Sequence, residues 1–181
     1  MDRIYLDNGA TSFPKPREVA DAVYEYMTNC GANINRGGYQ EAYDLEGVVF
    51  ETREMIKDMF GGEDCKNVVF TKNITESVNV VLKGFLKPGD HILCSSMEHN
   101  AVMRPLVQLA KKGIEFSRIP GNEFGELDVN AIEGMIRGNT VAIVMSHASN
   151  ICGTVNPITE VGAICAEHGL KFIVDSAQTA G

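Results

Sequence analysis

The spacing of apolar residues changes near residue 65. Before that point, apolar side chains recur every three or four residues in two stretches. This spacing predicts helices from about Arg17 to Thr28 and from about Glu41 to Phe60, the second stopped by Gly61-Gly62. Residues 1–15 show no such period, and they predict an extended N-terminal arm that ends in the rigid segment Phe13-Pro14-Lys15-Pro16.

After residue 65, short apolar runs alternate with helical stretches. The runs predict strands at Asn67–Thr71, His91–Cys94, Ile114–Ile119, Thr140–Ser146 and Lys171–Asp175. The stretches between them predict helices at Thr75–Phe85, Val102–Lys112, Val129–Ile136 and Thr159–His168. Because the runs are apolar throughout, both faces of the sheet should be covered. The expected fold is therefore α/β, a three-layer α/β/α arrangement with a mainly parallel sheet.

A parallel sheet also predicts where a ligand binds, since ligands lie beyond the carboxyl ends of its strands. Five loops follow predicted strands: Thr71–Thr75, Ser95–Asn100, Pro120–Asn122, His147–Cys152 and Asp175–Gln178. Residues in these five loops are therefore the candidates for ligand contacts.

Composition excludes several classes of protein. Of the 181 residues, 44% are apolar and 22% charged, and a formal charge of −8 with interspersed signs argues against binding the nucleic-acid backbone. The N-terminus lacks a secretory pattern and the apolar runs are too short to span a membrane, so a cytoplasmic protein is expected. The five cysteines form no CxxC pair, which predicts buried thiols and neither disulfides nor a metal site.

Two loops carry candidate groups for an anionic, planar ligand. Thr75 begins a helix, as N-cap or first-turn residue, and the unpaired N–H groups there suit a phosphate; the alternative is a simple helix cap. His99 follows a strand and offers a ring for stacking, although a loop histidine bonded to the backbone is an equally ordinary structure.

Two further loops carry an amide and a carboxylate. Asn150 supplies both a donor and an acceptor for a cofactor hydroxyl or a substrate carboxylate, or it forms an Asx turn before Gly153. Asp175 ends an apolar strand with Gln178 three residues later, and it would bind a protonated ring nitrogen, a ribose, a magnesium ion or a helix terminus. Taken together, these groups fit pyridoxal 5'-phosphate (PLP), whose ring nitrogen a carboxylate keeps protonated.

The same residues carry a resemblance to a known family. Segments Tyr5–Ser12, Asn35–Tyr39, Phe70–Ser77, Glu98–Asn100, Ser149–Gly153, Pro157-Ile158 and Val174–Gln178 occur in the order seen in class V aminotransferases and cysteine desulfurases. The chain resembles the N-terminal half of these PLP enzymes, with residues 16–181 as the first part of their large cofactor-binding domain.

The resemblance implies a role for each residue. Thr75 would bind the cofactor phosphate, His99 would stack on the ring, and Asp175 would pair with the ring nitrogen. Gln178 would bind the ring hydroxyl, and Asn150 would lie near that hydroxyl and the substrate carboxylate. The substrate entrance or the dimer partner would lie near Asn8, Ala10, Thr11 and Arg36.

The resemblance also implies an enzyme that removes sulfur from L-cysteine to leave L-alanine, as a homodimer that passes sulfur to an acceptor protein. No lysine of this chain matches the family's cofactor-binding lysine motif, so the isolated chain is expected to be inactive. Selenocysteine lyase and aminotransferase activities stay open. So does a non-catalytic truncated or split half that needs a complementary chain. A nucleotide-binding domain is disfavoured because GxGxxG and GxxxxGK[ST] are absent from the sequence.

Overall fold

The computed structural model describes residues 4–180. The chain divides into two compact units, the first running to Phe70 and the second starting at Thr71. We describe each unit by itself. The predicted boundary between an arm of residues 1–15 and the rest stays a prediction.

The first unit contains both predicted helices. Helix α1 spans Arg17–Glu25 and continues as a π-helical turn at Tyr26–Cys30, so the α-helical part ends earlier than predicted. Helix α2 spans Gln40–Met59, in agreement with its period. No residue of α1 is buried, and Ala42 is the buried residue of α2, so this unit leaves much of its apolar surface exposed.

The prediction of a strand at Asn67–Thr71 is wrong. Cys65–Asn67 forms a 3₁₀ turn, and the residues after it take part in no β-pairing among the described residues. Val69 is 72% exposed and Phe70 49% exposed. An apolar run becomes a strand only when a neighbouring strand satisfies its backbone groups, and no described strand pairs with this run.

The second unit is built on a four-stranded sheet. Its strands are β1 (His91–Ser95), β2 (Glu115–Ile119), β3 (Thr140–Ser146) and β4 (Lys171–Asp175). Their order is β2-β1-β3-β4 and every pairing is parallel. The bounds of β3 and β4 match the predicted ones.

Helices cover both faces of this sheet. They are α3 (Ile74–Phe85), α4 (Asn100–Ala110), α5 (Ala131–Met135) and α6 (Ile158–Glu167). Helices α3 and α4 pack on Ile92, Cys94 and Val144, whereas α5 and α6 pack on Leu93, Ile143 and Met145. Adjacent strand residues thus face opposite layers, which confirms the predicted three-layer α/β/α fold.

Strand register aligns the ends that carry the candidate groups. Ser95 pairs with Ile119, and Ser146 pairs with Asp175. The last residues of neighbouring strands therefore lie at the same edge of the sheet, and the loops after them start from that edge.

Candidate functional site

Helix α3 presents Thr75 in its first turn. The N-cap is Asn73 and not Thr75: the Asn73 side chain accepts a hydrogen bond from Glu76 N at 2.9 Å. The Glu76 carboxylate reaches back to Lys72 N at 2.8 Å, completing a reciprocal cap. Because Asn73 is the N-cap residue, the exposed Thr75 hydroxyl is left for other contacts.

His99 is the N-cap residue of α4. Its Nδ1 accepts a hydrogen bond from Ala101 N at 3.0 Å, so the backbone-bonded alternative is what the structure has. A neutral ring that accepts at Nδ1 carries its proton on Nε2. The capping bond fixes the ring orientation while the side chain stays exposed, so a ligand can still stack on it.

Thr75 and His99 line the same cleft between α3 and α4. The cleft has a volume of about 240 Å³ and is lined by Thr75, Asn79, Lys83, His99, Asn100, Ala101, Arg104, Pro105 and Gln108. Two of these residues are cations and none is acidic. The chain as a whole carries a net charge of −8, so this local excess of positive charge favours an anionic ligand.

Asp175 lies buried at the carboxyl end of β4, with 7% of its surface exposed. Its Oδ1 accepts a hydrogen bond from Ala177 N at 3.0 Å, so the carboxylate does cap the turn that follows the strand. Within residues 4–180, no hydrogen bond to its Oδ2 is present. That oxygen is available to a cationic or hydrogen-donating group.

Glu98, which sequence reasoning passed over, links these places. Its Oε1 accepts hydrogen bonds from the Ser95 hydroxyl and from Ser146 N, the latter at 2.9 Å. Its Oε2 accepts from the Ser146 hydroxyl at 3.1 Å. Burial raises the pKa of Glu98, nearby Asp175 raises it further, and the hydrogen bonds from Ser95 and Ser146 oppose that rise. A charged residue in the turn after a strand with the apolar centre Ile92-Leu93-Cys94 was the available signal.

The lining of the cleft that contains Thr75 and His99 does not include Asn150, Asp175 or Gln178. The turn at residues 149–152 is made by Ser149, whose Oγ accepts from Ile151 N at 3.2 Å and Cys152 N at 3.4 Å. The predicted Asx turn of Asn150 is therefore replaced by a serine turn, and Asn150 is exposed. Gln178 is exposed in the turn after Asp175. Their predicted ligand contacts stay predictions.

The four candidates of the first unit lie on its surface. Asn8 Oδ1 accepts from Phe13 N at 3.1 Å, and Thr11 Oγ1 accepts from Lys15 Nζ at 2.9 Å. Ala10 N donates to Asp7 O at 3.1 Å, and Arg36 is exposed. The polar side chains of Asn8 and Thr11 thus shape the arm itself, and a role for any of the four at a substrate entrance stays a prediction.

The expectation that every cysteine is a buried thiol is wrong for Cys30, which is only partly buried, and for Cys152. Cys65, Cys94 and Cys165 are buried, but Cys152 is exposed. Hydrogen bonding from Ser149, and next from Thr154, lowers the pKa of the Cys152 thiol to about 7. A substantial share of this side chain is therefore thiolate at neutral pH.

Residues 4–180 contain neither a metal-binding cluster nor a membrane-spanning helix. Their His, Cys, Asp and Glu side chains form no group of three or more suited to a metal ion. None of their helices combines the length and the apolar character that crossing a bilayer requires.

The fold and the cleft define an α/β protein with a cleft, lined by two cations and no acidic residue, between the two helices on one face of its sheet. The chain belongs to the class V aminotransferase family, whose model matches residues 4–181. A probable cysteine desulfurase of Halobacterium salinarum is 36% identical over 99% of this chain. The chain spans 44% of that relative's length.

Two solved structures are similar to this chain in both fold and sequence. The apo structure of a cysteine desulfurase from Thermococcus onnurineus NA1 superposes with a TM-score of 0.88 at 33% identity, covering 98% of this chain and 44% of its own. SspA in complex with cysteine superposes with a TM-score of 0.87 at 28% identity, covering 94% of this chain and 50% of its own.

Proposed function

We propose that this chain forms the cofactor-binding part of a PLP enzyme that removes sulfur from L-cysteine and leaves L-alanine. The family match, the desulfurase relatives and the SspA structure with cysteine support this proposal. The observation that carries it is the cleft shared by Thr75 and His99, together with Asp175, whose Oδ2 accepts no hydrogen bond from the described residues.

The cleft fits the phosphate of PLP. The Thr75 hydroxyl and the N-terminal N–H groups of α3 would hold the phosphate oxygens, since a helix N-terminus favours anions. Lys83 and Arg104 line the same cleft and add positive charge. Asn73 caps α3 through its own side chain and so keeps this first turn ordered.

The ring would rest on His99 and Asp175. The histidine ring, oriented by its bond from Ala101 N, would stack on the pyridine face. The Asp175 carboxylate would hold a proton on the ring nitrogen, because an adjacent negative charge favours the charged form. Gln178 and Asn150 would hydrogen-bond the ring hydroxyl and the substrate carboxylate. When bound, PLP supplies an electron-withdrawing ring that stabilises negative charge on the substrate α-carbon.

The lysine that binds the cofactor covalently is, in this proposal, none of those in the chain. Lys171 begins β4, at the opposite end of that strand from Asp175. Lys83 lines the cleft but lies on α3, eight residues after Thr75. We therefore expect the isolated chain to be inactive. We also propose that the protein is a cytoplasmic homodimer that passes sulfur to an acceptor protein. Its substrate is cysteine in this proposal, with selenocysteine lyase and aminotransferase activities as the alternatives.

Cofactor binding can be tested with pyridoxamine 5'-phosphate, which has the ring and phosphate of PLP but no aldehyde to react with surface lysines. Titration calorimetry on the purified chain should show tighter binding of this probe than of inorganic phosphate. Asp175→Asn should weaken the probe by about tenfold, since a charged hydrogen bond is lost, and leave phosphate unchanged. Thr75→Val should weaken both ligands.

Asp128→Asn is the matched control, because Asp128 Oδ1 also accepts from the backbone N–H two residues ahead, at 3.1 Å, but lies after β2. It should leave both affinities unchanged. Probe binding no tighter than phosphate binding, or an Asp175→Asn variant that binds the probe like wild type, would contradict the proposed cofactor site.

Inactivity has its own test. The chain, PLP and L-cysteine are incubated together and L-alanine is measured, with a full-length desulfurase as positive control. Alanine should not exceed the amount formed by PLP without protein. After borohydride reduction, peptide mapping should find no single lysine modified stoichiometrically. A stoichiometric adduct that is lost in Lys83→Ala would instead identify Lys83 as a cofactor lysine.

A second candidate function, one half of an assembly that needs another chain, rests on a different surface. Helix α3 and the edge strand β4 border an apolar groove of about 530 Å³, lined by Val80, Val81, Gly84, Phe85, Lys171, Phe172 and Ile173. Val80 is 58% exposed in it. Exposed apolar surface beside an unpaired strand edge favours association.

Sedimentation velocity over a concentration series tests this candidate. The chain should associate as concentration rises, and Val80→Glu should suppress association without changing the circular dichroism of the fold. A wild-type chain that stays monomeric throughout, or a Val80→Glu variant that associates equally, would remove the support for an association surface here.

A further inference from the structure

The strongest unassigned feature of the molecule is the side chain of Glu98. It is partly buried, it follows β1 by three residues, and it directly precedes His99. Its two oxygens together accept three hydrogen bonds, one from Ser95 at the end of β1 and two from Ser146 at the end of β3. A surface carboxylate without a positioning role would normally remain in water, because burial costs free energy that only well-placed donors offset.

The contacts of Glu98 join the two places that the proposed cofactor would touch. On one side, the backbone runs from Glu98 into His99, whose Nδ1 caps α4. On the other side, Glu98 binds both the N–H and the hydroxyl of Ser146. Ser146 is the β3 residue that pairs with Asp175 on β4. A continuous series of bonded residues therefore runs from the histidine ring to the buried carboxylate.

We infer that Glu98 is a positioning residue that sets the spacing between His99 and Asp175. This inference rests on the proposed function, because those two side chains are the proposed contacts of the cofactor ring. The Ser95–His99 turn has few other anchors at its centre: Met97 N donates to Ser95 Oγ at 3.3 Å. Without the Glu98 carboxylate, the turn would lose its connection to β3.

Loss of the Glu98 carboxylate should affect the ring part of the proposed site and not its phosphate part. Among the described residues no hydrogen bond joins Glu98 to Thr75 on α3, so the phosphate part of the cleft should not depend on Glu98. The His99 ring does depend on the turn, because the residue before it would be free to move. Loss of Glu98 should therefore weaken a ligand that has both ring and phosphate, and leave inorganic phosphate unaffected.

The test compares Glu98→Ala and Glu98→Gln with the wild-type chain. Glutamine has nearly the same size and still accepts from Ser146 N, so it should retain the positioning. In Glu98→Ala, binding of pyridoxamine 5'-phosphate should fall by about tenfold, the induced circular dichroism of the bound ring should be lost, and phosphate affinity should not change. Glu98→Gln should bind within about threefold of wild type.

The Glu98 carboxylate and its hydrogen bonds to Ser95 and Ser146 are called the clamp below. A measurement without any ligand tests this clamp directly. Amide hydrogen exchange at Ala101 and Ser146 reports the His99 cap and the Glu98 bond to β3. Both amides should lose protection in Glu98→Ala and keep it in Glu98→Gln. The control is Glu126→Ala, which removes a carboxylate that accepts from Asn122 Nδ2 at 2.7 Å in the loop after β2. It should alter neither amide.

The outcomes separate the two proposals. If the wild type binds the pyridoxamine probe no better than phosphate, but Glu98→Ala deprotects Ala101, the cofactor site is wrong and the clamp stands. Unchanged protection of Ala101 in Glu98→Ala, or a parallel loss of phosphate and probe binding, overturns the clamp. Should Glu98→Ala fail to fold, Ser146→Ala removes one of the donors, and it must deprotect Ala101 in the same direction for the inference to stand.

Discussion

The Nδ1 of His91 lies 2.8 Å from the Thr140 hydroxyl, so that two neighbouring strands are joined at their amino ends by a buried side-chain bond. The other ring nitrogen lies 3.0 Å from the hydroxyl of Ser117 on β2. His91 therefore connects β1 to both of its neighbours at the end of the sheet opposite Glu98. Burial lowers the pKa of His91, and the positive charge of Arg137 lowers it further.

This arrangement predicts acid sensitivity. The folded state resists protonation of His91, whereas the unfolded chain accepts a proton near pH 6.5. The His91 contribution to stability is thus complete above that pH and is lost as the pH falls below it, by up to about 1.4 kcal/mol per pH unit. Urea unfolding from pH 7.5 to pH 5 measures it. In His91→Gln, which can still bond the two hydroxyls, this part of the pH dependence should disappear. An identical pH dependence in both proteins would contradict the assignment.

Asn73 should stabilise α3 and with it the turn that contains Thr75. Asn73→Ala removes the acceptor for Glu76 N and should lower the free energy of unfolding by about 1 kcal/mol. Asn73→Ser, which retains a capping oxygen, should lie close to wild type. Urea denaturation of the three proteins gives the comparison. Equal stability of Asn73→Ala and wild type would show that the cap contributes nothing.

Leu82 anchors α3 on the sheet. It is fully buried in the cluster with Val102, Leu106 and Val144, so Leu82→Ala should cost about 2–5 kcal/mol through lost burial and a cavity. Val80→Ala on the same helix changes a side chain that is 58% exposed and should cost less than about 0.5 kcal/mol. Denaturant midpoints measure both. If the two variants were equally stable, the described orientation of α3 would be wrong.

Cys152 should be the most readily alkylated of the five cysteines near neutral pH. Its rate of reaction with iodoacetamide, followed by mass spectrometry, should rise with pH through a midpoint at about pH 7 and level off about one pH unit above it, because the thiolate is the nucleophile. Ser149→Ala removes the largest cause of the low pKa and should move the midpoint upward. Cys94 and Cys165 should stay unmodified in the folded protein, since burial raises their pKa values to about 12 and about 11. Modification of Cys94 ahead of Cys152 would contradict this order.

Local sequence predicted most elements of the second unit. Thr140–Ser146 and Lys171–Asp175 match the observed strands residue for residue, because each is a short apolar run that starts within two residues of a glycine, Gly138 or Gly169. The run at Asn67–Thr71 has the same local character but forms no strand. Strand formation depends on a partner, and hydrophobic pattern alone does not reveal whether one is present.

The residues of the candidate site likewise divide into those that local sequence identifies and those that depend on distant partners. Thr75, His99 and Asp175 were identifiable because each follows or begins a predictable element. The role of Glu98 was not identifiable from local sequence, because its partner Ser146 is 48 residues away along the chain. His91 likewise bonds Thr140 from a distance of 49 residues.

The sequence by itself determined the alternation of strands and helices, the parallel sheet and the loops that carry chemistry. These features follow from the period of apolar residues and from local turn chemistry, both of which act over a few residues. Only the tertiary structure decided that His91 joins β1 to β2 and β3, and that Glu98 joins β1 to β3. Each of these depends on which atoms strand register and helix packing bring within hydrogen-bonding distance, and that distance is set by the whole fold.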